Sequence, residues 1–516
     1  MADTADQIPV PQRVPSGIEG LDRILHGGFF QGRSYLLMGP PGAGKTILSN
    51  QLSFHHVANG GRALYLSLLA ETSSGMLANF QSFSFFTLNP IADALFYLSG
   101  YAALEQEGLE GLIALIRTEM RRHRATFLVI DGTMTARQAA PSEQTWKKFL
   151  HDVHVTAEIT RCTTFLLTPF DEDSAAQPEQ TMVDGLIALT TRSVDLRSVR
   201  ELQVLKFRGS DFLEGRHHYA ITKDGLVVYP RTESILAFPG ADLSRTLVTP
   251  EQPARMRVGI DHLDEMLRGG VLTGSMTLLL GASGTGKTLL GSHFLIEGAA
   301  QGQKGLYFGF NETPAQLVRT MSRFRLDVTR YIGTGQLEVL WQSPIQDSLD
   351  VLAERLLEAI QRQGTRRLFL DGLLGFQRTV ASAERLDLFL AALFTALHVQ
   401  DVTVMCAVEL PALFTPKVVL PATFSGITGQ VENLLLLRYV ELHSQLYRLI
   451  SIMKMRESSY DPSIREFRIT EQGIEVAPTF ASAQAILTGI AHSAAAPSGA
   501  SSAFAAGSTP KQGRQP

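Results

Sequence analysis

Two kinds of hydrophobic pattern alternate along this chain. Short unbroken apolar runs, such as Ser34-Tyr-Leu-Leu-Met38 and Met276-Thr-Leu-Leu-Leu280, read as strands buried on both faces. Between such runs apolar residues recur at helical spacing, as in Ile47 to His56 and Leu289 to Glu297. Further strands are expected at Ala63-Leu-Tyr-Leu-Ser67, Gly305-Leu-Tyr-Phe-Gly309, Thr126-Phe-Leu-Val-Ile130 and Arg367-Leu-Phe-Leu370. Strands and helices in alternation predict an α/β fold with central, mostly parallel sheets flanked by helices.

The pattern is stated twice. Arg13-Val-Pro-Ser-Gly17-Ile-Glu-Gly-Leu21-Asp22 runs into Gly27-Gly28, and Arg257-Val-Gly259-Ile-Asp-His-Leu263-Asp264 runs into Gly269-Gly270. Gly28 and Gly270 lie 242 residues apart, as do Lys45 and Lys287, so the chain is an internal duplication. Its 516 residues suit two domains of ordinary size. The expected division is a disordered start at 1–12, a first domain at 13–232, a linker at 233–252, a second domain at 253–490, and a flexible Ala/Ser/Gly tail at 491–516.

The chemistry sits where strand meets helix. Gly39-Pro-Pro-Gly42-Ala43-Gly44-Lys45-Thr46 and Gly281-Ala-Ser-Gly284-Thr285-Gly286-Lys287-Thr288 both fit G-x-x-x-x-G-K-[ST], each between a strand and a helix. Glycines at those places let successive backbone N–H groups face phosphate oxygens beside a positive helix end. Lys45 and Lys287 are expected on the β/γ-phosphates, and the Thr46 and Thr288 hydroxyls on Mg²⁺. The apolar runs that close on Asp131 and Asp371 have the Walker B pattern, and make these two acids the other candidate metal ligands. Asp131 follows Lys45 by 86 residues and Asp371 follows Lys287 by 84. Glu71 and Glu312 follow the second strands of the two halves and are candidates to activate a water. Basic triplets recur late in each half, Lys206-Phe-Arg208 and Lys454-Met-Arg456, 248 residues apart.

Composition narrows the classes. With 45% hydrophobic and 19% charged residues the chain is globular, and its formal net charge of −4 gives no overall attraction to nucleic acid. Cys162 and Cys406 lie in apolar runs at corresponding places of the two halves and read as buried small hydrophobes. No signal peptide opens the chain and no apolar run reaches the roughly 18 residues of a membrane span, so a cytoplasmic setting is expected.

From about Arg13 to Gly489 the chain resembles the KaiC family of tandem RecA-type ATPases. The most specific words are Leu437-Arg-Tyr439-Val-Glu441, then Lys454-Met-Arg456, then Ile464-Arg-Glu466-Phe-Arg-Ile-Thr-Glu-Gln-Gly473. The resemblance implies two RecA-like P-loop NTPase domains that bind ATP and Mg²⁺. It also implies a homohexameric double ring, in which Lys206, Arg208, Lys454 and Arg456 reach the nucleotide of a neighbouring subunit. Clock or signalling proteins are the partners it suggests. The sequence departs from the family in two places. Family members carry adjacent glutamates after the second strand, where this chain has Ala70-Glu71 and Asn311-Glu312. The autophosphorylated Ser-Thr pair of the clock protein falls on Thr428-Gly429, leaving Thr428 as the candidate acceptor, with Thr423 and Ser425 nearby.

The leading expectation is a KaiC-like ATPase switch, with Ser/Thr autokinase activity left open. A RecA- or helicase-like DNA motor would need basic and aromatic loops facing a pore, and the loop after Asp131 offers Arg137 alone. An ATP-sensing scaffold with little turnover is the third class, suggested by the missing glutamates.

Overall fold

The structure is a computed structural model that describes residues 12–69, 73–169, 178–194, 197–236, 254–343, 348–379, 383–410 and 427–488. Glu71 with its neighbour Ala70, Thr423, Ser425, most of the expected linker and nearly all of both expected tails lie outside these residues. The chain divides after Ile235 into two units.

Each unit is built on one nine-stranded sheet. In the first unit the strands are β1 (Ser34–Met38), β2 (Ala63–Ser67), β3 (Leu95–Ser99), β4 (Phe127–Asp131), β5 (Thr163–Thr168), β6 (Gly185–Val194), β7 (Arg197–Phe207), β8 (His217–Thr222) and β9 (Gly225–Tyr229). Their spatial order is β3-β2-β4-β5-β1-β6-β7-β8-β9. The first six in this order are parallel and the last three antiparallel. The second unit repeats the plan with β10 (Met276–Gly281), β11 (Gly305–Gly309), β12 (Leu337–Trp341), β13 (Arg367–Asp371), β14 (Thr403–Glu409), β15 (Asn433–Leu442), β16 (Gln445–Met455), β17 (Arg465–Thr470) and β18 (Gly473–Val476). Their order, β12-β11-β13-β14-β10-β15-β16-β17-β18, is the same order element for element.

Helices cover both faces, which is why the parallel strands are apolar throughout. In the first unit α1 (Lys45–Ala58) packs Leu48, Leu52 and Phe54 on one face of the sheet. The other face is covered by α2 (Tyr101–His123) and α3 (Glu143–Thr160), through Leu112, Ile116, Trp146 and Val153. In the second unit α4 (Lys287–Ala300) takes the place of α1, while α5 (Leu349–Gln363) and α6 (Ala383–Val399) cover the opposite face. A last helix, α7 (Ala481–Thr488), lays Ala483 and Ile486 against Leu449 of β16.

Two expectations need correction. α1 and α4 begin at Lys45 and Lys287, two residues before the expected starts, because Gly44 and Gly286 adopt left-handed backbone and serve as the helix caps. The cysteines are both buried and unpaired, but they are not equivalent: Cys162 immediately precedes β5, whereas Cys406 is the fourth residue of β14.

Candidate nucleotide sites

Both P-loops leave the carboxyl end of the strand that lies between β5 and β6, or between β14 and β15, where ligands of such sheets bind. Gly42 and Gly44 have φ of 80° and 95°, and Gly284 and Gly286 have 77° and 103°, values that a residue with a Cβ adopts only under strain. Gly39 and Gly281 are needed for a different reason. A Cβ there would come within 2.5 Å of Leu189 O and 2.6 Å of Leu437 O, so the loop turns hard against the next strand.

The charged groups repeat in both loops. Lys45 Nζ donates to Gly39 O at 2.6 Å and Pro40 O at 3.1 Å; Lys287 Nζ donates to Gly281 O at 2.7 Å and Ala282 O at 2.8 Å. Each ammonium is thereby held over its own loop. Thr46 Oγ1 donates to Asp131 Oδ2 at 3.3 Å, and Thr288 Oγ1 to Asp371 Oδ2 at 2.8 Å. Burial pushes both lysines down, opposed by Asp131 in the first site and by Glu409 and Asp371 in the second. Burial likewise pushes Asp131 and Asp371 up, against the hydrogen bonds that favour their charged forms.

Those hydrogen bonds include a residue that the sequence reading missed. Tyr65 donates to Asp131 Oδ2 at 2.7 Å, and Tyr307 donates to Asp371 Oδ2 at 2.6 Å. The two tyrosines sit on β2 and β11, 242 residues apart, so the duplication itself carried the signal. A further phenol meets each loop from a different strand. Tyr219 of β8 donates to Ala43 O at 2.6 Å, whereas the aligned residue of β17 is Phe467. In the second unit Tyr439 of β15 comes close to the loop, its hydroxyl 3.0 Å from where a Cβ on Gly284 would stand. Buried Thr285 ties its own loop by donating to Ala282 O at 2.8 Å.

Glu312 follows β11 and is half-buried, and its Oε2 is buried without a hydrogen-bond partner among the described residues. Burial, then the charge of Asp371, push its carboxyl up. Asn311 lies against Gly372, the residue after Asp371.

The basic triplets are not brought to the P-loop of their own chain. Lys206 pairs with Leu186, which pairs with Leu36, three residues before Gly39 and so about 10 Å from it along the strand. Lys454 stands likewise beside Leu434 and Leu278, three residues before Gly281. A register shift at each place bulges out Leu205 and Met453, which are 44% and 53% exposed. Lys206 Nζ donates to Gln180 O, Thr181 O and Val183 O at 3.2, 3.2 and 2.7 Å. Lys454 Nζ donates to Thr428 O and Val431 O, both at 2.7 Å. Thr428 lies in the short turn Ile427–Gly429 before β15, at the same end of the sheet.

The residues fit a magnesium nucleotide. Among the described residues no group of three or more His, Cys, Asp or Glu could hold a metal alone. Each site instead offers one hydroxyl and one carboxylate, the sparse set with which Mg²⁺ is held when phosphates complete its shell.

Known proteins resemble this chain in both halves. The family described as "ATPase: KaiC" matches residues 14–233 and again 256–480. The circadian clock oscillator protein KaiC of Picosynechococcus is 28% identical over 491 residues, covering 93% of this chain and 92% of that protein. In Synechocystis, circadian clock oscillator protein KaiC 1 is 27% identical over 493 residues (93% and 91% covered), and circadian clock protein KaiC3 is 26% identical over 499 residues (93% and 94% covered). With both halves matched and each P-loop built as described, the chain belongs to the KaiC family and is an ATP-binding protein with two ATPase domains.

Proposed function

We propose that the chain is a two-site, magnesium-dependent ATPase that works as a nucleotide-driven switch. The observation that carries this is the repeated set of Lys, Thr, Walker B Asp and Tyr at two glycine cradles. Mg²⁺ held by Thr46 and Asp131, or by Thr288 and Asp371, would neutralise charge on the β- and γ-phosphates. Lys45 and Lys287 bind the same phosphates, and the left-handed glycines turn backbone N–H groups toward them. Glu312, whose buried Oε2 has no hydrogen-bond partner among the described residues, accepts the proton of the attacking water in the second domain, and Glu71 has that role in the first.

Assembly into a homohexameric ring is part of the proposal. The strip carrying Lys206, Arg208, Lys454 and Arg456 lies toward the end of the sheet away from the chain's own P-loop. Phosphates of another copy are the ones we assign to these cations. The same placement makes phosphoryl transfer to Thr428 a reaction between copies, and adjacent Gly429 has no hydroxyl to offer. A role in circadian timing is proposed from the relatives' names. The test is turnover with Glu71→Gln plus Glu312→Gln. The rate is expected to fall at least tenfold with ATP still bound; an unchanged rate rejects these two bases.

A further inference from the structure

The second site contains a carboxylate that the P-loop, the Walker B strand and the Glu312 position do not account for. β14 lies between β13, which carries Asp371, and β10, which carries the P-loop. Asp371 pairs with Ala407, and Gly281 pairs with Glu409, the last residue of β14. Side chains two apart on a strand share a face. Ala407 packs in the core beneath α4, together with Leu279, Leu290 and Phe294, so Glu409 emerges on the P-loop side one step beyond Asp371. The backbone fixes it there. Gly281 O accepts Leu410 N at 3.0 Å as well as Lys287 Nζ at 2.7 Å, which ties the tip of β14 to the loop lysine. Glu409 is exposed, so its carboxylate is not committed to the interior.

We propose that Glu409 is a further catalytic carboxylate of the second ATPase site, facing the γ-phosphate from the strand between the Walker B strand and the P-loop. The inference rests on the two-site ATPase reading and deepens it. Its negative charge is the largest one opposing the burial of Lys287, ahead of that of Asp371. Among the described residues the first site has no counterpart: Met38 pairs with Thr168, so the residue level with Gly39 is Pro169. Neither half has an acid before its glutamate, with Ala70 before Glu71 and Asn311 before Glu312, and in the second site Glu409 supplies a second acid. In the reaction the water oxygen bonds to the γ-phosphorus, and the bond to the bridging oxygen breaks with its electron pair leaving on ADP. The water proton passes to Glu312, while Glu409 accepts a hydrogen bond from the nucleophile.

The experiment uses the full chain with Lys45→Ala, which leaves the second site to bind and turn over ATP. Glu409→Gln and Glu409→Asp are added to it, and bound nucleotide and turnover are measured from pH 5 to 9. One bound nucleotide per chain is expected in all three proteins. With Gln, turnover is expected to fall by about tenfold or more, and Asp is expected to recover part of it. The acid limb of the rate profile should move with Gln, which a packing role would not cause. Turnover within twofold of the parent, with nucleotide still bound, overturns the role of Glu409. Loss of nucleotide in the Lys45→Ala parent itself overturns the two-site reading, and this inference with it.

Discussion

Asp131 and Asp371 are carboxylates held at the buried ends of strands, and each is kept there by a neighbouring phenol and hydroxyl. Replacing Tyr307 with Phe removes one of the two hydrogen bonds to Asp371 Oδ2 and leaves a buried acceptor under-satisfied. The expected loss is ~1–3 kcal/mol of second-domain stability, read by urea unfolding. No change would mean that Tyr307 is a packing residue. His293 gives a test by pH. It is buried on α4, its Nε2 accepts Ile474 N at 3.2 Å, and burial lowers it to about 4. The unfolded chain takes up this proton below about 6.5 and the folded chain only near 4. The stability it protects is therefore complete above pH 6.5 and is lost as pH falls through that window, by ~3 kcal/mol. His293→Gln should flatten this part of the stability curve, and an unaltered curve would refute the assignment. The P-loop residues and the Walker B acids were legible because their spacing is chemical. Tyr307 recurs as Tyr65 at the repeat distance, which marks the position, but an apolar run does not show that the hydroxyl reaches the next strand.

At the scale of elements, the strands were the easier reading. Runs such as Phe127-Leu-Val-Ile130 and Thr163–Thr168 are buried on both faces, so apolar and small residues fill them and the pattern is plain. Helix starts were read two residues late, since a glycine cap has no side chain to announce it. The bulges at Leu205 and Met453 escaped for a different reason: one extra residue on one strand is a property of the pairing. They matter because they turn Lys206 and Lys454 onto backbone carbonyls of their own chain and leave Arg208 and Arg456 beside them. β13 also begins with a fully buried arginine, which no pattern predicts. Arg367 is held by Gln303 Oε1, Arg257 O and Phe294 O, at 2.6, 2.6 and 2.9 Å, with its guanidinium 4.7 Å from the Phe294 ring.

For the whole molecule, two sheets with one strand order follow from the 242-residue repeat, and fold class and family were legible from it. The antiparallel β7–β9 and β16–β18 take each sheet beyond the parallel core, and the proposed assembly rests on the basic triplets they lead into. Subunits sharing ATP should associate only when it is bound, by mass action. Light scattering is expected to report a ring with Mg·ATP and smaller species after nucleotide is stripped; one mass in both states would reject nucleotide-dependent assembly. The central claim, that both loops are working sites, is tested most directly by counting bound nucleotide per chain in Mg·ATP. Lys45→Ala and Lys287→Ala should each remove about half of the nucleotide, and the double substitution nearly all of it. A single substitution that leaves the count unchanged would contradict the account.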